Sequence, residues 1–448
     1  MFTESVELQY LLAPISPDHF FRDTWEKVPL AIHRDAGHFA GLFARRDLDA
    51  VVAYSRPRFT DTSAFQPPGP RSPTYVRGMS ADQAAAAVDQ PSIAELRQIY
   101  ERGKSVVIMA MQHRWPAIAR LSRGLEAAFH CPVHANLYLT PPGSQGFAAH
   151  FDTHEVFILQ LDGVKHWRLY GDAEHLPLAS DAAPLTRRPG KPAQEITLEA
   201  GDLLYIPRGH IHEASTATES SLHLTIGVNV YRWADLLHHA LTCISRQDDA
   251  FREAIPGGAL PEGKARLKHN FQSLLKKLAC AAQAEDLFEQ AFAAVGDQFF
   301  GQLQMLPCGQ FAGHDACGEI ELDTPLSRNR QAICRVLENE QGVAIEFPGN
   351  RVGGPPRIAS ALRFIAGRAN FTARELPDDL SEEARLVLVR RLVREGLLNV
   401  AAPPVAIDDA DRSFFDGAIL SEENHVNDVR ANQLAEAVGY VGGQGLVG

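Results

Sequence analysis

At 448 residues the chain is longer than one hydrophobic core usually supports, which predicts two or three domains. Its 45% hydrophobic and 22% charged residues exclude a low-complexity or disordered protein. A net charge of −12 argues against direct nucleic-acid binding, which needs clustered Lys and Arg, and favours a basic partner.

The first twenty residues carry Glu4, Glu7 and Asp18 and no basic leader, so no signal peptide is read, and no apolar run reaches the roughly 20 residues that span a bilayer. Cys131, Cys243, Cys280, Cys308, Cys317 and Cys334 form no Cys-x-x-Cys pair and read as reduced thiols, so the expected location is cytoplasmic. Up to about residue 130, short helical segments alternate with loops, including a Pro/Gly/Ser-rich stretch from Ala64 to Pro73 and an Ala-rich helix from Ser80 to Ala87. Between Val133 and Tyr231 the texture changes to short β-branched and aromatic runs punctuated by Gly, Pro and Asp, the pattern of a small barrel or jelly roll. Strands are predicted at Val133–Thr140, Lys165–Tyr170, Glu195–Leu198, Asp202–Ile206 and Leu222–Asn229. In the first, His134, Asn136, Tyr138 and Thr140 share a face opposite four apolar residues and are expected to line a cavity.

After Arg232 the spacing turns helical, from Trp233 to Ile255 and from Lys264 to about Val295, predicting amphipathic helices that pack on each other or on a second subunit. A third unit follows: a helix near Arg328 to Asn339, a strand at Val343 to Phe347, helices Arg357–Gly367 and Ser381–Gly396, and a strand Leu397–Val400, the order of a winged helix. The Ser381 helix has a Ser N-cap, early acids, late basic residues and a terminal Gly, all favourable to its dipole. Arg385, Arg390, Arg391 and Arg394 on it offer a basic face. The resulting boundaries are 1–232 for a β domain with its N-terminal elaboration, 233–327 for a helical domain and 328–410 for the winged helix, with 411–448 unassigned.

The chemistry concentrates in two segments, Gly146-Phe-Ala-Ala-His150-Phe-Asp152 and Gly201-Asp-Leu-Leu-Tyr-Ile-Pro207-Arg-Gly209-His-Ile-His212. Alternate strand residues share a face, so a His-x-Asp pair on a strand aims an imidazole and a carboxylate at one point. The spacing from Gly201 through Pro207 and Gly209 to His212 matches the second half of the cupin signature, in which a Pro/Gly turn delivers a His from the next strand. Two His and one carboxylate occupy one face of an octahedral ion, as in non-haem Fe(II) oxygenases, and leave room for an oxo-acid and O2. His154 and His210 lie two residues from proposed ligands and are rivals, read here as neighbours rather than ligands; His130, His134 and His223 are read as cavity-wall or core residues. Lys165 alternates with Trp167 and Leu169 and so points where a charge is costly without an anion. A dicarboxylate co-substrate supplies one, with Asn136, Tyr138 and Thr225 as further contacts.

The span from Asn136 to Asp152, continued by Gln160-Leu-Asp-Gly-Val-Lys165-His-Trp167, resembles the JmjC-type 2-oxoglutarate oxygenases of the ribosomal oxygenase branch. The likeness extends to Leu11-Leu-Ala-Pro-Ile-Ser16 and Phe20-Phe-Arg-Asp-Thr-Trp25 and to the helical and winged-helix segments. It implies an α+β multidomain chain in which a double-stranded β-helix carries N-terminal helices, a helical dimerisation segment and a C-terminal winged helix. It further implies Fe(II) on His150, Asp152 and His212, 2-oxoglutarate on Lys165 with Asn136 and Tyr138, consumption of O2, and hydroxylation of a side chain, His or Arg, in a ribosomal protein by a homodimer. Competing readings are a hydroxylase tailoring a peptide natural product, an N-methyl demethylase, and a non-catalytic regulator that senses a ligand and reads DNA.

Overall fold

A computed structural model describes residues 5–55, 62–64, 93–172, 175–181, 189–255, 264–283, 285–306, 317–339 and 342–400. The Ala-rich segment Ser80–Ala87, nearly all of the Pro/Gly/Ser-rich stretch and the tail after residue 400 lie outside these. Contacts divide the chain into two units, Met1–Pro307 with Gln331–Arg335 and Glu346–Arg351, and Cys308–Arg330 with Val336–Ile345 and Val352–Gly448.

The first unit opens with two short helices, Val6–Leu12 and Pro17–Asp23, each started by a serine whose hydroxyl accepts a backbone N–H: Ser5 from Leu8 and Ser16 from His19. Strands then follow in chain order: β1 (Leu30–Ile32), β2 (Thr62–Ala64), β3 (Val106–Ile108), β4 (Val133–Thr140), β5 (Glu155–Gly163), β6 (Lys165–Asp172), β7 (Gln194–Leu198), β8 (Leu203–Ile206), β9 (His210–Ser215) and β10 (Ser221–Val228). They form a seven-stranded sheet of order β1-β8-β5-β10-β4-β3-β2 and a three-stranded sheet of order β7-β6-β9. Neighbouring strands in both sheets pair antiparallel.

Period-two alternation decides which side chains go where. Val133, Ala135, Leu137 and Leu139 of β4, with Leu222, Leu224, Ile226 and Val228 of β10, pack with Leu8, Leu11 and Phe20 of the N-terminal helices. The intervening residues of β5 and β8 turn the other way: Val156, Ile158, Leu204 and Ile206 meet Trp167, Leu169, Leu198 and Ala214 of the small sheet. Because β5 is covered on both faces it reads as an almost unbroken apolar run. The polar set predicted to line a cavity therefore does face away from the helices. Between β5 and β6 the chain turns at Gly163, φ +67°, where a Cβ would stand 1.8 Å from the Ser220 carbonyl oxygen, so only glycine fits.

The helical segment comprises Trp233–Gln247, Lys264–Ala281 and Glu285–Gln302. The helix expected to run from Lys264 to Val295 is thus two, broken between Ala281 and Glu285. The first and third pack together, with Gln247 and His239 bonded to Gln290 and Gln298.

The second unit contains a sheet of order β15-β11-β16, built from β11 (Pro325–Arg328), β15 (Asn370–Thr372) and β16 (Leu398–Val400), with helices Ala359–Gly367 and Glu382–Arg394 between its strands in sequence. A separate meander joins β12 (Arg335–Asn339), β13 (Gly342–Phe347) and β14 (Asn350–Gly354). The helix expected near Arg328 to Asn339 is absent. The end of β11 and the whole of β12 occupy that stretch, where pairing with β13 overrides local preference. Ser381 does cap its helix, accepting from Ala384 N–H. The basic face read on that helix is reduced by two members: Arg385 is buried and donates to Leu380 O, Arg374 O and Asp378, and Arg390 donates to Ile320 O.

Candidate metal centre

The His-x-Asp pair sits where the chain changes sheets. His150 forms an antiparallel bridge with His212 of β9, giving its N–H to His212 O at 3.1 Å and accepting from His212 N–H at 2.8 Å. From Glu155 onward the chain pairs with β8 and β10 of the large sheet. His150 and Asp152 are therefore not within a regular strand, as the alternation had suggested; the crossing between two ladders leaves residues 151–154 irregular. Asp152 is instead fixed from the opposite arm. Gly209, with φ +89°, donates its N–H to Asp152 O at 2.9 Å, so the Pro207–Gly209 turn that delivers His212 also anchors the carboxylate-bearing residue.

One ligand-type atom from each of His150, Asp152 and His212 lies within 4.8 Å of the others. The imidazole tautomers are set by the backbone. His150 Nδ1 lies 2.9 Å from Ala148 O and His212 Nδ1 lies 3.0 Å from His210 O. A carbonyl only accepts, so both Nδ1 atoms carry a proton and Nε2 is the ring atom each imidazole offers to a metal. His212 Nε2 is 3.5 Å from Asp152 Oδ2. Burial, with the neighbouring His150, pushes the His212 pKa down to about 4 against the opposing pull of Asp152, so the ring is neutral at physiological pH. Burial acts to raise the Asp152 carboxyl, but the surrounding imidazoles, His212 foremost, outweigh it and hold the group below the usual carboxylate range. Two imidazoles whose Nδ1–H groups point away to backbone carbonyls, converging with one carboxylate, suit a divalent cation bound on one face.

At the start of β6, Lys165 is 1% exposed and gives Nζ–H to Thr140 Oγ1 at 2.7 Å. Burial drags its pKa from 10.5 down to about 7. Thr140 is bonded in turn to Ser105 at 3.0 Å. Asn136 and Thr225 face each other across the β4–β10 ladder, and Tyr138 lies opposite His223 and stacks on it at 4.8 Å. Asn136 Oδ1 accepts from Ala110 N–H at 3.1 Å, and the Asn136 side chain is also hydrogen-bonded to Tyr138. Thr140 was not singled out from the sequence as a co-substrate contact. The signal was its place two and four residues along the face that carries Tyr138 and Asn136.

The rival histidines take other partners. His154 Nε2 is 3.0 Å from His134 Nε2, and the two rings lie over Gly227. His210 lies opposite Asp172 in the β6–β9 ladder, and neither His154 nor His210 joins the three-residue cluster found among the described residues. His223 is buried between Tyr138 and Trp167, and His130 caps the helix Pro116–Phe129 in a left-handed conformation.

Fold and site together define a cupin-type metalloprotein with a His-Asp-His cluster at one end of a two-sheet β core. A JmjC domain model matches residues 108–236. Ribosomal oxygenase 1 of Gallus gallus is 33% identical over 447 residues, covering 89% of this chain and 72% of that protein. The bifunctional lysine-specific demethylase and histidyl-hydroxylase NO66 of Aedes aegypti is 31% identical over 373 residues, covering 75% of this chain and 57% of that one. The structure of YcfD, a ribosomal oxygenase from Escherichia coli in complex with cobalt and 2-oxoglutarate, is 18% identical and covers 86% of this chain and 98% of its own, with a TM-score of 0.47. The chain belongs to the JmjC ribosomal oxygenase family.

Proposed function

We propose that this chain is an Fe(II)- and 2-oxoglutarate-dependent oxygenase that hydroxylates a side chain of a protein, with His150, Asp152 and His212 as the metal ligands. The observation that carries this reading is the pair of imidazoles whose Nδ1 protons are committed to Ala148 O and His210 O, offering both Nε2 atoms beside one carboxylate. When bound, Fe(II) with 2-oxoglutarate and O2 supplies the oxidant: one oxygen atom enters the substrate C–H bond, and the other leaves in succinate as CO2 departs. The protein's own part is orientation and charge. Lys165 provides the cation for the far carboxylate of 2-oxoglutarate, Thr140 holds Lys165 in place, and Asn136, Tyr138 and Thr225 line the same face. The net charge of −12 favours a basic substrate, and a His or Arg side chain of a ribosomal protein fits that preference.

The domain limits 1–232, 233–327 and 328–410 carry over as part of the proposal. The last is read as a winged helix from the succession helix, β15, helix, β16, with β11 (Pro325–Arg328) straddling its first limit. Homodimerisation through the helical segment is supported by a stripe at i, i+4 and i+8 of one helix, where Trp233, Leu237 and Leu241 are 81%, 64% and 40% exposed, and by exposed Phe271, Phe288 and Phe292. Leu237→Glu is expected to halve the mass seen by light scattering.

The decisive test is succinate release from 2-oxoglutarate under Fe(II) and O2 in the presence of basic ribosomal proteins, with intact-mass analysis of those proteins. A gain of about 16 Da, absent with His150→Ala and Asp152→Ala proteins, supports hydroxylation; a loss of about 14 Da points to demethylation. No turnover in any arm, with specific DNA binding instead, supports the regulator.

A further inference from the structure

Behind the metal centre, on the face of the large sheet turned to the N-terminal helices, a second group of polar side chains is buried where the apolar core has no need of it. Glu155 is 0% exposed, Tyr205 is 0% and Arg208 is 6%. Tyr205 Oη donates to Glu155 Oε2 at 2.5 Å and accepts from the Glu26 backbone N–H at 2.9 Å. Arg208 Nη2 is 2.6 Å from Glu26 Oε1, and its Nη1 lies 3.8 Å from Glu155 Oε1, an ion-pair distance without a hydrogen bond. Burial raises the Glu155 carboxyl to about 7, with Tyr205 and Arg208 pulling the other way.

The place of these residues in the chain matters more than their charge. Glu155 is the first residue of β5, directly after the crossing that carries Asp152. Arg208 sits between Pro207 and Gly209, in the turn whose Gly209 N–H holds Asp152 O and which leads into His212. Tyr205 is paired with Phe157 where β5 and β8 run together. The network thus ties the base of one metal-bearing arm to the base of the other, and Glu26, held at φ +58°, ties both to the N-terminal elaboration. A buried ion pair is seldom the most stable solution, since apolar replacements of similar volume are often neutral or stabilising. A use left to it is fixing geometry: the backbone bonds between His150 and His212 and from Gly209 to Asp152 join the two arms at the site itself, and the network joins them again at their bases.

We propose that the Glu26–Arg208–Glu155–Tyr205 network is the positioning device of the metal centre, setting the separation of the Asp152 and His212 arms. The proposal rests on the reading of His150, Asp152 and His212 as ligands, and the test is arranged so that the two can fail separately. Co(II) alone is titrated into the full-length protein, followed by its visible absorption band, with thermal melting measured in parallel. Wild type must bind first: no binding sinks the triad reading and this one with it.

The double variant Glu155→Gln/Arg208→Met removes both buried charges and leaves the half-exposed Glu26 to solvent. Tyr205→Phe keeps the ring against Phe20, Trp25 and Phe157 and removes only the hydroxyl. Both are expected to weaken Co(II) about tenfold or more and to shift the band. Arg34→Met serves as the control. It breaks a clamp on the Leu11 and Ala13 carbonyls, away from both arms, and is expected to lower the melting temperature with Co(II) affinity unchanged. Affinities within twofold of wild type in the folded variants overturn the proposal, as does an equal loss in Arg34→Met. If the double variant does not fold, Tyr205→Phe decides alone.

Discussion

Lys165→Met is expected to make the unliganded protein more stable and its co-substrate affinity far poorer, two effects of opposite sign with one cause. In the wild type the Lys165 side chain is 1% exposed and its ammonium group donates to Thr140 Oγ1. The drop from 10.5 to about 7 sets an upper bound of about 5 kcal/mol on the cost of keeping it charged in the fold. Replacement of such a buried charge by an apolar side chain of similar length is expected to return about 1–4 kcal/mol. The direction with pH follows from linkage. Between about 7 and 10.5 the unfolded chain binds the proton that the native state has lost, so wild-type stability rises with pH across that window and the advantage of Lys165→Met shrinks.

Binding runs the other way. Only the ammonium form can pair with a carboxylate, so the apparent affinity for 2-oxoglutarate scales with the fraction protonated, about one half at pH 7 and about one hundredth at pH 9. Wild type should therefore bind roughly fifty-fold more weakly at pH 9 than at pH 7. Lys165→Met should lose about two to three orders of magnitude at pH 7. Anaerobic calorimetric titration of the Mn(II)-loaded protein with 2-oxoglutarate at both pH values measures this, and chemical denaturation of the unliganded proteins measures the stability term. A flat affinity between pH 7 and 9, or a Lys165→Met protein that binds 2-oxoglutarate as wild type does, would refute the assignment of Lys165 to the far carboxylate.

Thr140→Val removes the 2.7 Å bond that steers Lys165 Nζ, and a loss of about tenfold in 2-oxoglutarate affinity with Mn(II) affinity unchanged is expected from the same titration. Gly227→Ala would put a methyl 2.2 Å from His134 Cε1 and 2.7 Å from His154 Cδ2, so both rings must move; a destabilisation of about 1–3 kcal/mol should appear in urea melts, and an unchanged midpoint would contradict the close packing of that pair. In the second unit, Ser381→Ala deletes the hydroxyl that accepts from Ala384 N–H and should cost about 1 kcal/mol, read as faster amide exchange in the first turn of that helix.

Much of the site was legible before any coordinates. Spacing brought His150, Asp152 and His212 forward, with His154 and His210 as rivals two residues away, because a Pro/Gly turn followed by a His at fixed distance is a local instruction, and the family resemblance chose among them. Alternation in Val133–Thr140 marked the cavity face, because each strand residue's side is decided by its own parity. The unusual setting of Lys165 was visible from Trp167 and Leu169 for the same reason. Local reading failed where pairing partners, rather than parity, were in control. Residues 328–339 looked helical and became strand through β13, and the His-x-Asp pair sits at a change of sheets that alternation cannot signal.

What the sequence determined by itself was the inventory of chemistry and the side of the sheet on which each group lies, since both follow from residue type and backbone period. Which groups meet was decided only by tertiary structure. That Thr140 rather than Asn136 or Tyr138 accepts the hydrogen bond from Lys165 Nζ, that His154 turns to His134, and that Glu26 closes a buried network with Arg208 all depend on the closing of two sheets and the docking of the N-terminal segment on them. Contacts between residues distant along the chain are settled by the packing of whole faces, and no local pattern encodes them.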